Sequence, residues 1–360
     1  MTQHVIFVAP FCMHATLRFI AGGAQLSDVA LSVISQEPAE KIPAEIRARL
    51  QGHWRISNAL DPAQIVHAAR QLEKQLGTAT CLMGPLEQLQ VPLAIARETM
   101  GITGLSVEAS LNFRDKSRMK TVLAQANVPC ARHALVRDRN AAHAFAQKVG
   151  FPMVVKPVAG AGGKSTFRLN HDQDLSAFLE RFPPNPAQPS LFEEFVKGQE
   201  YSFDSVMLNG ELIWHSISRY IPSPLEVMEN PWIQWCVLLP RDIDGPEFDP
   251  IREAAAAGLK ALGLNTGLSH MEWFKLGNDR IALSEVGARP PGPQITSLLS
   301  YAHDIDFYRA WPQLMALGEF EPPARRYATG DGYIIVRHPE TRVVEQALEE
   351  IVRIIRIELE

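Results

Sequence analysis

His270-Met-Glu272-Trp-Phe-Lys-Leu-Gly-Asn278-Asp279-Arg-Ile-Ala-Leu-Ser-Glu285-Val-Gly287-Ala-Arg289 reads as two strands joined by a Gly-Asn-Asp turn. Centring the hairpin on Asn278-Asp279 sets residue 277 against 280 and, counting outward, Glu272 directly opposite Glu285. Like charges that face each other across an antiparallel pair repel. A fold that keeps them there needs a cation between them. Carboxylate oxygens are hard ligands of the kind that suit Mg²⁺, an ion usually shared with substrate phosphates. The bland alternative is a surface hairpin with two solvated glutamates; the first reading points to a nucleotide-using enzyme.

Working outward, 360 residues with 46% hydrophobic content suffice for two or three domains with their own cores. The formal net charge of -5 offers no basic surplus for a phosphate backbone, so no nucleic-acid partner is expected. Cys12, Cys81, Cys130 and Cys236 are scattered without a CxxC pair, which fits a reducing compartment, and a cytoplasmic location, better than a disulfide framework or a zinc site. Met1–Pro10 has a short apolar run without a basic n-region and reads as a buried first strand. No apolar stretch approaches the ~20 residues of a membrane span.

Strand patterns at His4–Ala9 and Val29–Ile34, with helical periodicity from Ala15 between them, make a β-α-β opening of an α/β unit. Thr80–Met83 and a helical pattern over Leu86–Met100 extend it to about residue 112. The first strand is followed by Ala9-Pro10-Phe11-Cys12 and carries no GxGxxG, which disfavours dehydrogenase chemistry. Asp115 is placed to cap a helix over Lys116–Ala126. Strands are expected at His133–Val136, Phe151–Pro157, Thr166–Leu169, Leu191–Val196, Tyr201–Leu208 and Glu211–Ser218, with Asn209-Gly210 as a hairpin turn, and helices at Ala141–Val149, Ile251–Leu262 and Phe307–Leu317.

Gly160-Ala-Gly162-Gly163-Lys164-Ser165 invites a P-loop reading but fails its spacing: Val158 stands where glycine is required, and a strand pattern follows instead of a helix. A glycine flap between two strands, whose bare N–H groups close over phosphates, is the alternative. Lys156 on the entering strand would then supply a point charge; the ordinary reading is a hairpin loop with a solvated lysine.

Asp115-Lys116, then Val155-Lys156-Pro157 with the glycine run, then Glu193-Glu194-Phe195-Val196 with Glu200, then His270-Met-Glu272, and last Glu285-Val-Gly-Ala-Arg289, resemble in order and spacing the ATP-grasp superfamily. Within it, the His-x-Glu strand and Arg289 look most like the ligases that join a carboxylate to an amine, L-amino acid ligases among them. The resemblance covers nearly the whole chain. It implies an ATP-grasp fold with α+β lobes behind a Rossmann-like α/β domain: residues 1–112 the first domain, 113–196 the ATP lid lobe, 197–326 the metal and substrate lobe, and 327–360 a closing segment.

Residue by residue, the resemblance makes Lys116, Lys156, Lys164 and Ser165, with Gly160, Gly162 and Gly163, the phosphate contacts. Glu193 would accept from the adenine amino group, backbone groups around Glu194, Phe195 and Val196 would read the ring edge, and Glu200 would hold the ribose. Glu272 and Glu285 would bind Mg²⁺, with Mn²⁺ as a substitute. Family members often carry asparagine two residues after the second glutamate; Gly287 stands there and limits the protein ligands to two. Arg289 would face the transferred phosphoryl group or the substrate carboxylate, and His270, on the strand face of Glu272, would bind substrate or steady that group. Trp232 and Trp235, with Trp214 and Tyr220, lie in a Pro-rich segment that reads as a substrate cover, and Glu87 as an amine-binding carboxylate from the first domain. Core aromatics, a second-shell histidine and structural ion pairs are the plain alternatives for these residues.

The activity implied is ATP- and Mg²⁺-dependent ligation of a small-molecule carboxylate to an amine, of an amino acid for preference, through an acyl phosphate. The alternatives are a bicarbonate-activating carboxylase, a purine-pathway ligase, or a nucleotide-binding protein without turnover. A homodimer through the first domain is the expected assembly, with no membrane partner.

Overall fold

The computed structural model describes residues 2–158, 166–230, 236–240, 242–323 and 340–354. Three sheets organise them. The first is parallel, with β1 (Gln3–Val8), β2 (Val29–Ser35), β3 (Gly52–Arg55) and β4 (Ala79–Met83) in the order β3-β2-β1-β4. In β1 the alternation sends Val5 and Phe7 into one core and Ile6 and Val8 into another, so the strand is buried on both faces as crossover helices require.

The second sheet is antiparallel: β5 (His133–Val136), β6 (Met153–Pro157), β7 (Phe167–Leu169) and β8 (Ser190–Glu194), ordered β5-β8-β6-β7. The element after the glycine run is thus strand β7, in agreement with rejection of a P-loop. The third sheet holds β9 (Gln199–Leu208), β10 (Glu211–Ile221), β11 (Cys236–Leu238), β12 (Gly267–Lys275) and β13 (Ile281–Gly287) in the order β11-β10-β9-β12-β13. One face of it carries Tyr201, Phe203, Met271 and Trp273 into a core shared with helices Lys116–Gln125 and Asp249–Leu262. Tyr201 and Trp273 stack there with ring centroids 4.8 Å apart. The opposite face carries Glu200, Ser202, Asp204, His270 and Glu272, and this period-two segregation builds the site.

Helix Phe307–Leu317 ties the third sheet to the first. Its Phe307, Tyr308 and Trp311 share a core with Val5, Phe7 and Phe19. Gly22, on helix His14–Gly23, permits this approach, since a Cβ there would lie 2.3 Å from the Tyr308 carbonyl oxygen. Among the described residues no helix is long and apolar enough to cross a membrane.

Three expectations need correction. The pattern reading assigns nothing between Ile34 and Thr80, yet β3 and helix Pro62–Leu76 lie there, the helix announced by the Asp61 cap, Pro62 at its first position and Gly77 at φ 87°. It also omits helices Asp172–Arg181 and Pro293–His303. The 112/113 boundary falls inside helix Val107–Arg114.

The hairpin is the third correction. Leu276 N–H donates to the Arg280 carbonyl at 2.8 Å, closing a three-residue loop with Asn278 and Asp279 at positive φ, so next to the turn Lys275 pairs with Ile281. That is one residue off the register counted from a turn centred on Asn278-Asp279. An irregularity between Glu272 and Trp273 then absorbs the extra residue, Ser284, and beyond it Glu272 pairs with Glu285 after all.

Candidate active site

A cavity of about 530 Å³ lies between the second and third sheets, capped by helix Lys116–Gln125 and by Glu87 from the loop after β4. Its size is ordinary for a site that encloses a small ligand. Val154, Phe195, Val196 and Leu283 form apolar wall, while Lys116, Lys156, Glu272 and Glu285 supply charge.

Asp115 caps the helix by accepting from Ser117 and Arg118 N–H groups at 2.8 and 3.0 Å, which sets Lys116 at the first helical position. The Lys116 ammonium then sits 2.7 Å from Glu285 Oε1. Across the ladder, burial first and then the facing Glu285 push the Glu272 carboxyl above the ordinary carboxylate range, with His270, Lys156 and Lys116 opposing. Among the described residues no cluster of three or more His, Cys, Asp or Glu side chains is placed to hold a metal alone. The donor set is therefore a facing carboxylate pair that suits a hard divalent ion completed by oxygen atoms of a bound substrate.

On the other wall Glu193 is buried, and its carboxylate lies between two lysines: Lys156 at 3.2 Å from Oε2 and Lys120 at 3.4 Å from Oε1. Burial alone would raise it, but Lys120 and Lys156 together hold it below the ordinary range. Glu193 thus lies between two cations on the cavity wall. Burial lowers Lys156, yet Glu193 and Glu285 more than offset this and keep the ammonium charged. Lys120, its side chain only 1% exposed, is missing from the sequence reading. Its signal was there: four residues beyond Lys116 on a helix is the same face. The Glu194 carboxylate pairs with Arg132 at 2.6 Å, and the Glu194 and Phe195 N–H groups donate to the Arg132 and Pro152 carbonyls.

Glu87 lines the cavity, but Arg114 holds its Oε1 and Arg289 its Oε2, each at 2.8 Å. Both of its oxygens are therefore engaged by guanidiniums. Arg289 also donates to the Pro290 carbonyl at 2.9 Å. A Cβ on Gly287 would have the Arg289 side chain as nearest neighbour, at 3.7 Å, so the arginine runs past Gly287 at ordinary contact distance.

His270 lines the cavity beside Glu272 and bonds through Nδ1 to Asp204 Oδ1 at 2.7 Å. Burial lowers the imidazole, and the Asp204 charge and hydrogen bond outweigh it and raise it. Glu200, next to Glu272 on the same sheet face, is pushed up to about 8 by burial and by Glu272, against Lys156. Of the expected aromatic cover, Tyr220 lines the cavity, whereas Trp214 packs into the core against Phe307 with centroids 5.0 Å apart. Trp232, Trp235, Gly160, Gly162, Gly163, Lys164 and Ser165 lie outside the described residues.

Residues 121–293 match the model of the ATP-grasp domain. The chain is 26% identical over 220 residues to an L-arginine-specific L-amino acid ligase of Bacillus subtilis, covering 59% of this chain and 52% of that one. It is 24% identical over 284 residues to the carbamoyl phosphate synthase large chain of Streptomyces coelicolor, covering 76% of this chain and 24% of that one. The chain thus spans about half the length of the first relative and about a quarter of the second. Among solved structures, an L-amino acid ligase from Bacillus licheniformis superposes with a TM-score of 0.70 at 19% identity, over 89% of this chain and 78% of that one. An N5-carboxyaminoimidazole ribonucleotide synthetase from Thermotoga maritima does so with 0.65 at 17% identity, over 91% and 78%.

Proposed function

Because the chain carries an ATP-grasp domain, in the ATP-grasp fold and behind a Rossmann-like parallel sheet, we propose that it is an ATP- and Mg²⁺-dependent ligase joining a carboxylate to an amine, of an amino acid for preference. The observation that carries this reading is the Glu272–Glu285 pair, in register on the cavity face and within reach of Lys116. The relatives named as L-amino acid ligases support the acceptor class. A cytoplasmic location and the lobe division near residues 196 and 197, between β8 and β9, belong to the same proposal.

A carboxylate is a poor electrophile. Its oxygen attacks the γ-phosphorus of ATP, ADP leaves, and the amine nitrogen then attacks the acyl phosphate carbonyl; phosphate departs and the nitrogen loses a proton. Glu272 and Glu285 would hold Mg²⁺, or Mn²⁺ in its place, which when bound neutralises charge on the β- and γ-phosphates. Val154, Phe195, Val196 and Leu283 would enclose the adenine ring, with Val196 reading its edge and Glu200 holding the ribose. Lys116 and Lys156 would exchange their carboxylate partners for phosphate oxygens, and Lys120 would keep Glu193 anchored meanwhile. Arg289, kept in place by Glu87, and His270 would orient the substrate carboxylate and stabilise charge on the transferring group.

A phosphate-release screen of paired amino acids and small carboxylic acids, with products identified by mass, tests this. Release that requires both a carboxylate and an amine, with a condensed product, is expected. Release that depends on bicarbonate in place of an organic carboxylate would move the assignment to a carboxylase. ATP binding without turnover across the panel would reduce the protein to a nucleotide-binding module.

A further inference from the structure

Asp204 lies in the middle of β9, in register with His270 on β12 and with Ser216 on β10, and is only 1% exposed. A carboxylate so placed is kept from water and needs specific hydrogen-bond partners in its stead. Both its oxygens have one: Oδ1 accepts from His270 Nδ1 at 2.7 Å and Oδ2 accepts from Ser202 Oγ at 2.9 Å. The serine holds the carboxylate from below, and the carboxylate holds the ring. Because a carboxylate accepts, Nδ1 carries the proton, and Nε2 is the ring nitrogen left for the cavity that His270 lines. The ring shares its strand face with Glu272, two residues along.

We propose that Asp204 is a positioning residue: it fixes the tautomer and orientation of His270 so that Nε2 meets the substrate's reacting groups beside Glu272. The proposal rests on the ligase reading of the same cavity. Nothing in it requires Asp204 to touch substrate. The residue acts only through the ring, as carboxylates that orient a functional histidine do elsewhere.

The test compares Asp204→Asn, His270→Asn and the double variant in steady-state ligation, alongside ¹⁵N-histidine spectra of the wild type and Asp204→Asn. An asparagine can donate to Nδ1 and so favours the wrong tautomer. The expected result is a fall in kcat of about 10- to 100-fold with little change in KM for ATP, a double variant no worse than His270→Asn alone, and a His270 signal that leaves the Nδ1-protonated pattern. A neutral wild-type His270 protonated at Nε2 and bare at Nδ1 would overturn the proposal. So would additive losses in the double variant, or Asp204→Asn within about twofold of wild type, the scatter of neutral substitutions. Should Asp204→Asn fail to fold, the wild-type spectrum decides alone. Absence of ligation in the wild type would sink the ligase reading instead, and the tautomer spectra would still judge Asp204.

Discussion

Glu193 is buried and Glu272 half-buried on the wall of one cavity, and their surroundings drive them in opposite directions. Burial raises each of them. Around Glu193 two lysines reverse the effect; around Glu272 the facing Glu285 adds to it. In the first cluster one carboxylate is shared by two cations. In the second, two carboxylates face each other with Lys116 2.7 Å from Glu285, and His270, Lys156 and Lys116 do not offset the burial and the like charge at Glu272. The difference separates a structural anchor from a site shaped for an incoming cation, a distinction that residue type alone does not carry.

The largest effect should come from removing the second cluster's function. Glu285→Ala is expected to lower turnover by about a thousand-fold, the worth of several kcal/mol of charge stabilisation, with circular dichroism and thermal melting near those of the wild type. Turnover close to normal would erase the contrast, because Glu285 would then be as structural as Glu193.

The complementary substitution attacks stability. Glu193→Ala leaves Lys120 and Lys156 buried without their shared partner, and about 3–5 kcal/mol of stability should be lost by urea unfolding. The folded Glu193 carboxyl lies below its unfolded value, so its contribution is present above the ordinary glutamate range and disappears as pH falls through the folded value. In Glu272→Gln the opposite sign is expected for the metal-free protein: equal or higher stability, together with loss of the Mg²⁺-induced rise in melting temperature. A metal-free Glu272→Gln as damaged as Glu193→Ala would show the two clusters to be alike.

Glu200 supplies the smallest and most pH-specific effect. Its folded value is pushed up to about 8 from an ordinary value of 4.5, so the folded state holds its proton more tightly. The stability this contributes is full below 4.5 and lost as pH rises through 8. Urea midpoints of the metal-free wild type should therefore decline relative to Glu200→Gln between those limits, by a few kcal/mol at most. A pH-independent difference between the two would show that burial and Glu272 do not raise Glu200 in the folded protein.

Much of the site was legible because its residues sit at short, periodic spacings. His270, Glu272, Glu285 and Arg289 occupy one hairpin and its exit, and alternation alone puts them on one face. The path to the pairing was less faithful than its result: a turn taken as two residues was three, and Ser284 restored the register. Lys120 was readable from the helix period and overlooked. The partners of Glu87, Arg114 and Arg289, come from 27 and 202 residues away and have no local signal. Asp204 gave only a faint signal, a charged residue in an otherwise buried strand.

Local order thus belonged to the sequence: capped helices, alternating strands, the acidic hairpin and the lysine ahead of the glycine run are set by interactions within a few residues of one another. Which carboxylate meets which cation was decided by the tertiary structure. Ion pairing depends on distance across sheets and on the loss of water, and both arise only once β6, β8, β12 and β13 close on one cavity. So it is the packed chain that makes Glu193 an anchor and leaves Glu272 and Glu285 facing each other.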